Sequence, residues 1–474
     1  MGEETSAIQS EETNEKHSAG SRRRLDMLHG SLWRTIPAFA LPVALTGILE
    51  QMSSLIDTMM VGHLSGEAGP AAMAAVGSNT PITSLLLNLF IGIALGTNVV
   101  IANAIGSNDR DTVHKAVHSS VSLAVFGLVV TLVGELLAAP LLRLLNVPPE
   151  NLGQALAFLR VYLLGMPSIM LYNFEAAIFR SVGITKMPLQ ALAFSSLVNV
   201  ALVFLFIPVL NLGVGGAAAA TAISYTISAA ILFVRLMRID SPIRLNPREL
   251  GIDRQVLGRI VRIGLPAGLQ SAVFSLANIV IQACINSLGT EVMAASSAVL
   301  SLEYVVYNLL NSFSQACTTF VGQNYGAGQI RRCKKILLIA FAEAEVAELI
   351  VLAILLGFGR QIMAAFNPDP TVVELGYLRM CVLFPSYMFS MAYENMSGYL
   401  RGFGISLPPA LITAISVCGW RFFWVSVVFP AAPSFLRLLA IYPISLGSTT
   451  LLVFIALMVI RPSKIYARRE KSAA

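Results

Sequence analysis

The chain has 474 residues, of which 56% are hydrophobic and 12% charged, and its formal net charge is +6. A typical soluble domain is about 25% charged; with a mean hydropathy of +0.73, this chain cannot be a soluble body carrying one or two anchors. Nearly all of it must lie in lipid, and the sidedness of its basic residues accounts for the positive charge better than a nucleic-acid partner does.

Residues 1–32 are polar, charged and almost free of large apolar side chains, which predicts a disordered N-terminus, and they lack the apolar core of a signal peptide. Stretches long enough for the roughly 20 apolar residues a bilayer demands then recur at 33–61, 70–103, 116–140, 155–179, 188–210, 214–237, 258–288, 292–325, 336–358, 372–399, 406–432 and 435–460. The expectation is an all-α integral membrane protein with twelve transmembrane helices. It divides into an N-terminal half 33–237, a linker 238–257, a C-terminal half 258–460 and a basic tail 461–474.

The first stretch carries Pro42, Glu50 and Asp57. A carboxylate at the bilayer centre costs roughly 2.5–3.5 kcal/mol on insertion scales, so it faces a bundle interior or a wet cavity and marks a functional position. Glu50 and Asp57 are seven residues apart, which places them on one helix face about two turns apart. They read as a proton or cation site, or else as carboxylates hydrated near a helix end.

The 32 Lys and Arg residues test the helix count. With alternating loops, 26 fall on one side and 6 (Arg143, Arg160, Arg360, Arg379, Arg421, Arg437) fall on the other or within segments. The positive-inside rule then puts the rich side, with both termini, in the cytoplasm. The halves also repeat each other: Ala40-Leu41-Pro42 matches Gly264-Leu265-Pro266, Ala72-Met73-Ala74-Ala75 matches Val292-Met293-Ala294-Ala295, and Arg180-Ser181-Val182-Gly183 matches Arg401-Gly402-Phe403-Gly404, at offsets of 220 to 224. Six segments separate the copies, an even number, so the repeats are parallel. Such repeats hold substrate near the midplane, between bundles that rock against each other.

The C-terminal half carries polar stripes at helical spacing: Ser271, Ser275, Asn278 and Gln282, then Glu303, Tyr307, Asn311, Ser314 and Thr318. Such stripes bind helices together or line a cavity. Arg421 is the expected partner of Glu303, and Glu175 and Glu394 are expected to pair with Arg180 and Arg401. Glu135 has no evident partner; Glu343, Glu345 and Glu348 do not share one narrow face and are read as partly balancing Arg331 to Lys335 near the cytoplasmic surface, with a second acidic pocket as the alternative. Cys284, Cys317, Cys333, Cys381 and Cys418 have no metal-ligand spacing and read as core residues. No phosphate loop, zinc spacing or catalytic triad is present, so neither an enzyme nor a resident cofactor is expected, and ATP-driven transport would need another subunit.

Taken together, Pro42, Asp57-Thr58-Met59-Met60-Val61-Gly62-His63-Leu64, Gly322-Gln323-Asn324-Tyr325-Gly326-Ala327 and Arg401-Gly402-Phe403-Gly404 resemble the multidrug and toxic compound extrusion (MATE) family of cation-coupled exporters over roughly 33–460. The resemblance implies two six-helix lobes forming a V, with export driven by inward proton or sodium movement. It lays Asp57 on the family's first-helix coupling aspartate, and Asn199 and Thr221 on neighbouring polar positions. Val203 stands where many members carry a second acid. With one acid, a proton or a lone Na+ on Asp57 is the simpler site, and Glu50 is a candidate stand-in. Asn278, Gln282, Glu303, Tyr307, Asn311 and Arg421 are the candidate cavity residues.

The reading is a multi-pass plasma-membrane antiporter, monomeric and surrounded by lipid. It exports amphipathic, often cationic, small molecules in exchange for protons or sodium. A flippase for a lipid-linked saccharide shares the broad architecture, but only Arg421 is clearly basic and intramembrane. A major-facilitator carrier should show Gly-x-x-x-Asp-Arg-x-Gly-Arg-Arg between the second and third segments, of which Gly106-Ser107-Asn108-Asp109-Arg110-Asp111-Thr112-Val113-His114 keeps only fragments. A non-transporting receptor would bind ligand without gradient-dependent flux.

Overall fold

The computed structural model describes residues 25–463 apart from 65, 67, 68 and 146. The predicted disorder of the first residues and most of the basic tail lie outside the described residues. A chain in hydrocarbon must satisfy its backbone internally, and every regular element among the described residues is helical.

The first half comprises α1 (Leu32–Leu64), α2 (Gly69–Gly106), α3 (Arg110–Leu123), α4 (Phe126–Leu144), α5 (Pro149–Leu164), α6 (Met166–Ser181), α7 (Lys186–Phe204) and α8 (Gly213–Arg238). The second comprises α9 (Arg254–Ser287), α10 (Thr290–Gly326), α11 (Ile330–Gly357), α12 (Gly359–Phe366), α13 (Pro370–Gly402), α14 (Leu407–Thr413), α15 (Gly419–Phe423), α16 (Phe429–Ala431), α17 (Phe435–Leu439) and α18 (Ile441–Ile460). Several of these are pieces of one crossing. Among the described residues, ten helices are long and apolar enough to span a membrane, and α5 with α6, bent by 47°, makes an eleventh. The place of the remaining expected segment is filled by α11, a 28-residue helix with Arg331, Arg332, Lys334 and Lys335 in its first turns and Glu343, Glu345 and Glu348 in its middle. The eleventh crossing of the chain is irregular, with π-helical turns at Ala414–Cys418 and Trp424–Val428 on either side of α15.

The repeat is visible in the backbone. α6 and α13 both end with a glycine in the left-handed region, Gly183 at φ +81° and Gly404 at φ +79°. In each, the glycine N–H returns to the arginine carbonyl, and the next N–H returns to the residue before that arginine (Ile184 to Phe179 and Ile405 to Leu400, both 3.0 Å). This double closure needs a residue without a Cβ.

The two halves meet along one face of α9. Gly264, Gly268, Ser271, Ser275, Asn278 and Gln282 follow each other at spacings of four and three, a single helical stripe. A methyl group at Gly264 would sit 2.6 Å from the Gly92 carbonyl oxygen of α2, and one at Gly268 would sit 2.7 Å from that of Leu89. Further along, the Ser275 hydroxyl accepts from Asn88 at 3.4 Å. Beyond it Asn278 is exposed. Side chains on this stripe therefore grow as the helices diverge.

The other cross-half hydrogen bonds among the described residues lie between Asn88 and the end carrying the basic loops. Thr319 donates to Asn98 at 2.9 Å, Gln323 to the Ser181 carbonyl at 2.7 Å and Asn324 to the Met27 carbonyl at 3.0 Å. The lobes are thus joined at one end and splayed at the other.

Candidate functional site

Asp57 lies in the last third of α1, where that helix packs against α7 and α8. Its Oδ2 accepts a hydrogen bond from the Thr221 hydroxyl at 3.0 Å and another from the Asn199 amide at 3.5 Å. The same amide reaches the Thr221 hydroxyl at 3.5 Å. The second oxygen of Asp57 and the amide oxygen of Asn199 are both buried without a hydrogen-bond partner. The group therefore presents a carboxylate and an amide oxygen that lack a donor, backed by a hydroxyl. A proton on the carboxyl, or a monovalent cation shared by the oxygens, is what such a set takes up. The residues fit Na+ in donor type, all of them being hard oxygens.

Val203 is fully buried in an apolar cluster with Val61, Ile207, Ala217 and Ala220. A second carboxylate at that position would enter a dry environment, so the site is built around one acid. One turn before Asp57, the Ser53 hydroxyl donates to Ser196 at 3.1 Å, fastening α1 to α7. Sequence reasoning passed over this contact, because neither serine stands out from the many small polar residues of the chain.

Glu50 shares no hydrogen bond with Asp57, Asn199 or Thr221 among the described residues. It lies within electrostatic range of Arg180, Tyr162, Tyr172 and Tyr225, and Tyr225 also senses Asp57. Arg180 donates to Gln315 of the other lobe at 3.4 Å.

In the C-terminal half the expected partnership of Glu303 with Arg421 is not formed. Glu303 accepts from Arg379 at 3.1 Å and from the Tyr387 hydroxyl at 2.5 Å, both on α13. Arg379 is 2% exposed, so Arg421 does not stand alone as a basic residue within the spans. Arg421 donates to Asn278 and lies over the Phe274 ring, 4.6 Å from its centre. Gln282 bonds Asn286 at 2.9 Å along its own helix. Tyr307 lies within electrostatic range of Glu394 and Arg401, and no hydrogen bond from Asn311 to the other candidates is found among the described residues.

Three further expectations need correcting. Glu394 does pair with Arg401, at 2.8 Å, but both oxygens of Glu175 are buried without a hydrogen-bond partner. Glu135 has a partner, Arg160 of the next helix, at 3.3 Å. Glu348 is fully buried and, like Glu343, has no hydrogen-bond partner, so these glutamates do not balance the basic turn of α11.

Outside the spans, His114, His118 and Glu249 form a group able to converge on a metal ion. His118, however, uses both ring nitrogens, one towards the His114 carbonyl at 2.7 Å and the other accepting the Asn246 N–H at 3.1 Å. His114 meets Glu249 at 2.6 Å. This bond, followed by one from Asn246, holds the Glu249 carboxyl below the ordinary carboxylate range. The cluster fastens the linker to α3.

The family model MatE matches residues 42–205 and 266–424, once in each half. The chain is 25% identical over 401 residues to "Probable multidrug resistance protein YoeA" of Bacillus subtilis (strain 168), covering 82% of this chain and 85% of the relative. It is 27% identical over 386 residues to "Probable multidrug resistance protein NorM" of Thermotoga maritima, covering 80% and 82%. A solved structure described as an outward-facing conformation of a MATE family multidrug resistance transporter superposes with a TM-score of 0.84 at 22% identity, over 93% of this chain and 98% of that one. Two parallel six-helix repeats, splayed from one joined end and each matched by the same family model, place this chain in the MatE family of multidrug efflux transporters.

Proposed function

We propose that the protein is a secondary active antiporter of the plasma membrane that exports amphipathic, often cationic, small molecules in exchange for protons or sodium, with Asp57 as the coupling group. The observation that carries this reading is the unpartnered Asp57 oxygen beside the unpartnered Asn199 oxygen. A buried carboxylate short of a donor is costly, and binding a proton or Na+ removes that cost. Ion binding then changes which packing of α1, α7 and α8 is favoured, the differential interaction that a conformational switch requires.

With the basic loops in the cytoplasm, the joined ends of the lobes are cytoplasmic and the cleft opens outwards. An outward-open exporter must take up its ion and release its cargo in this state, and Asp57, beyond the last cross-lobe contact, is placed for that exchange. Asn199 and Thr221 tune the carboxyl, and Glu50 would sense the junction through Arg180.

The test is flux of a fluorescent lipophilic cation in proteoliposomes under an imposed proton or sodium gradient. Wild type should respond to one of the two gradients, and Asp57→Asn should lose at least about tenfold of that response, as about 1.4 kcal/mol or more of coupling would give. Equal gradient-driven flux in the mutant would remove Asp57 from the mechanism.

A further inference from the structure

Among the described residues, three arginines are buried in the C-terminal half, and two of them hold a carboxylate. Arg379 holds Glu303 at 3.1 Å and Arg401 holds Glu394 at 2.8 Å. Arg421 is left over. It is 2% exposed, its Nε has no hydrogen-bond partner, and no carboxylate pairs with it among the described residues. What surrounds it is neutral: the Asn278 amide oxygen, the Phe274 ring, and the Tyr442 ring with its centre at 5.6 Å. An amide and two aromatic faces lessen the cost of burying a guanidinium but do not balance its charge. The α11 glutamates form no ion pair with it among the described residues.

The location of Arg421 gives the charge a use. Asn278 lies on the α9 stripe that faces the other lobe, one turn beyond Ser275, whose hydroxyl meets Asn88 across the junction. Asn278 itself is exposed. The Asn278 amide thus connects the buried guanidinium to an exposed position on that stripe. Arg421 also sits on the short α15, between two π-helical turns, an irregularity that recurs at functional sites in helices.

We propose that Arg421, behind Asn278, is an anion subsite in the C-terminal wall of the cleft, and that it takes the carboxylate of zwitterionic amphiphiles. Asn278 moves aside or hands over its hydrogen bond, and the guanidinium receives a carboxylate in the forked geometry it favours. This deepens the exporter reading and rests on it only in placing cargo in the cleft.

The test is equilibrium binding to the purified full chain in detergent, without any gradient. The probes are rhodamine 110, which carries a free carboxylate, and its methyl ester rhodamine 123. Wild type should bind the acid about tenfold more tightly than the ester, a difference of about 1.4 kcal/mol. Arg421→Gln should abolish that preference and Arg421→Lys should retain most of it. Thermal melting checks the fold: removing an uncompensated buried charge should leave the midpoint of Arg421→Gln at or above that of wild type.

Equal binding of acid and ester, with chloride raising the melting point of wild type but not of Arg421→Gln, would support the subsite with a solution ion as its occupant. An acid-to-ester ratio and a chloride response unchanged in Arg421→Gln would overturn the proposal. Neither result depends on Asp57, so failure here leaves the coupling reading standing, and failure there leaves this one.

Discussion

At the residue scale, the buried charges behave differently according to whether they have partners. Arg379 and Glu303 neutralise each other within the lobe, so removing one strands the other. Arg379→Met should destabilise the C-terminal half by about 3 kcal/mol or more, whereas the double variant with Glu303→Leu should recover most of the loss. Thermal melting in detergent decides this, and equal loss in the single and double variants would contradict the pairing. Thr221→Ala removes one donor from Asp57 and leaves the carboxylate in place. For Na+ held by these oxygens, its expected cost is about 1 kcal/mol of Na+ affinity, several-fold in the Na+ concentration giving half-maximal flux, with the maximal rate retained.

The same pairs show which residue contacts the sequence could announce. Glu394 and Arg401 are seven apart on α13, about 20° from the same helical face, and they meet. Glu175 and Arg180 are five apart on α6, about 140° around the helix, and cannot. That distinction was available from spacing alone. The pairing of Glu303 with Arg379 rather than Arg421 was not, because it depends on how α10, α13 and α15 are rotated about their own axes. Asp57, Asn199 and Thr221 were found through a family pattern, and the structure brings them within hydrogen-bond reach of one another.

At the element scale, the crossing of α2 and α9 relies on the absence of side chains at Gly92, Gly264 and Gly268. Gly268→Val should push the helices apart at the pivot and lower transport strongly while leaving ion binding at Asp57 intact, since that site lies between α1, α7 and α8. Parallel flux and ion-binding measurements test this, and normal flux would show that the close crossing is dispensable. The span boundaries were legible because hydrocarbon demands about 20 apolar residues per crossing. The bend between α5 and α6 and the two π-helical turns around α15 were not, since apolar length carries no information on local winding.

The linker makes a pH prediction. Glu249 titrates below its ordinary range because His114, and then Asn246, hydrogen-bonds its charged form. A depressed carboxyl contributes stability that is complete above its unfolded value and is lost as pH falls through its folded value. Docking of residues 239–253 on α3 should therefore be intact at neutral pH and loosen below the usual carboxylate range. Limited proteolysis of the linker should show this transition, and Glu249→Gln should remove it. A transition of the same size in that variant would assign it to other groups.

At the scale of the whole molecule, two lobes share one joined end, held by hydrogen bonds such as Thr319 to Asn98 and Gln323 to the Ser181 carbonyl. The twelve segments, the parallel repeat and the family were all legible in the sequence. The degree of opening was not, because one sequence must encode both the open and the closed packing, and only coordinates select between them. The proposed antiport requires that an ion at Asp57 and a cargo molecule in the cleft favour opposite states. Its most direct test is the ion released when cargo binds. Ethidium would be added to the purified protein in weakly buffered solution, with proton release followed by a pH indicator and sodium release by preloaded radioactive sodium. Wild type should release about one ion of a single kind per ethidium bound, as reciprocal coupling between two sites requires, and Asp57→Asn should bind ethidium and release none. Release of the same ion from Asp57→Asn, or ethidium binding to wild type without any release, would contradict antiport coupled at Asp57.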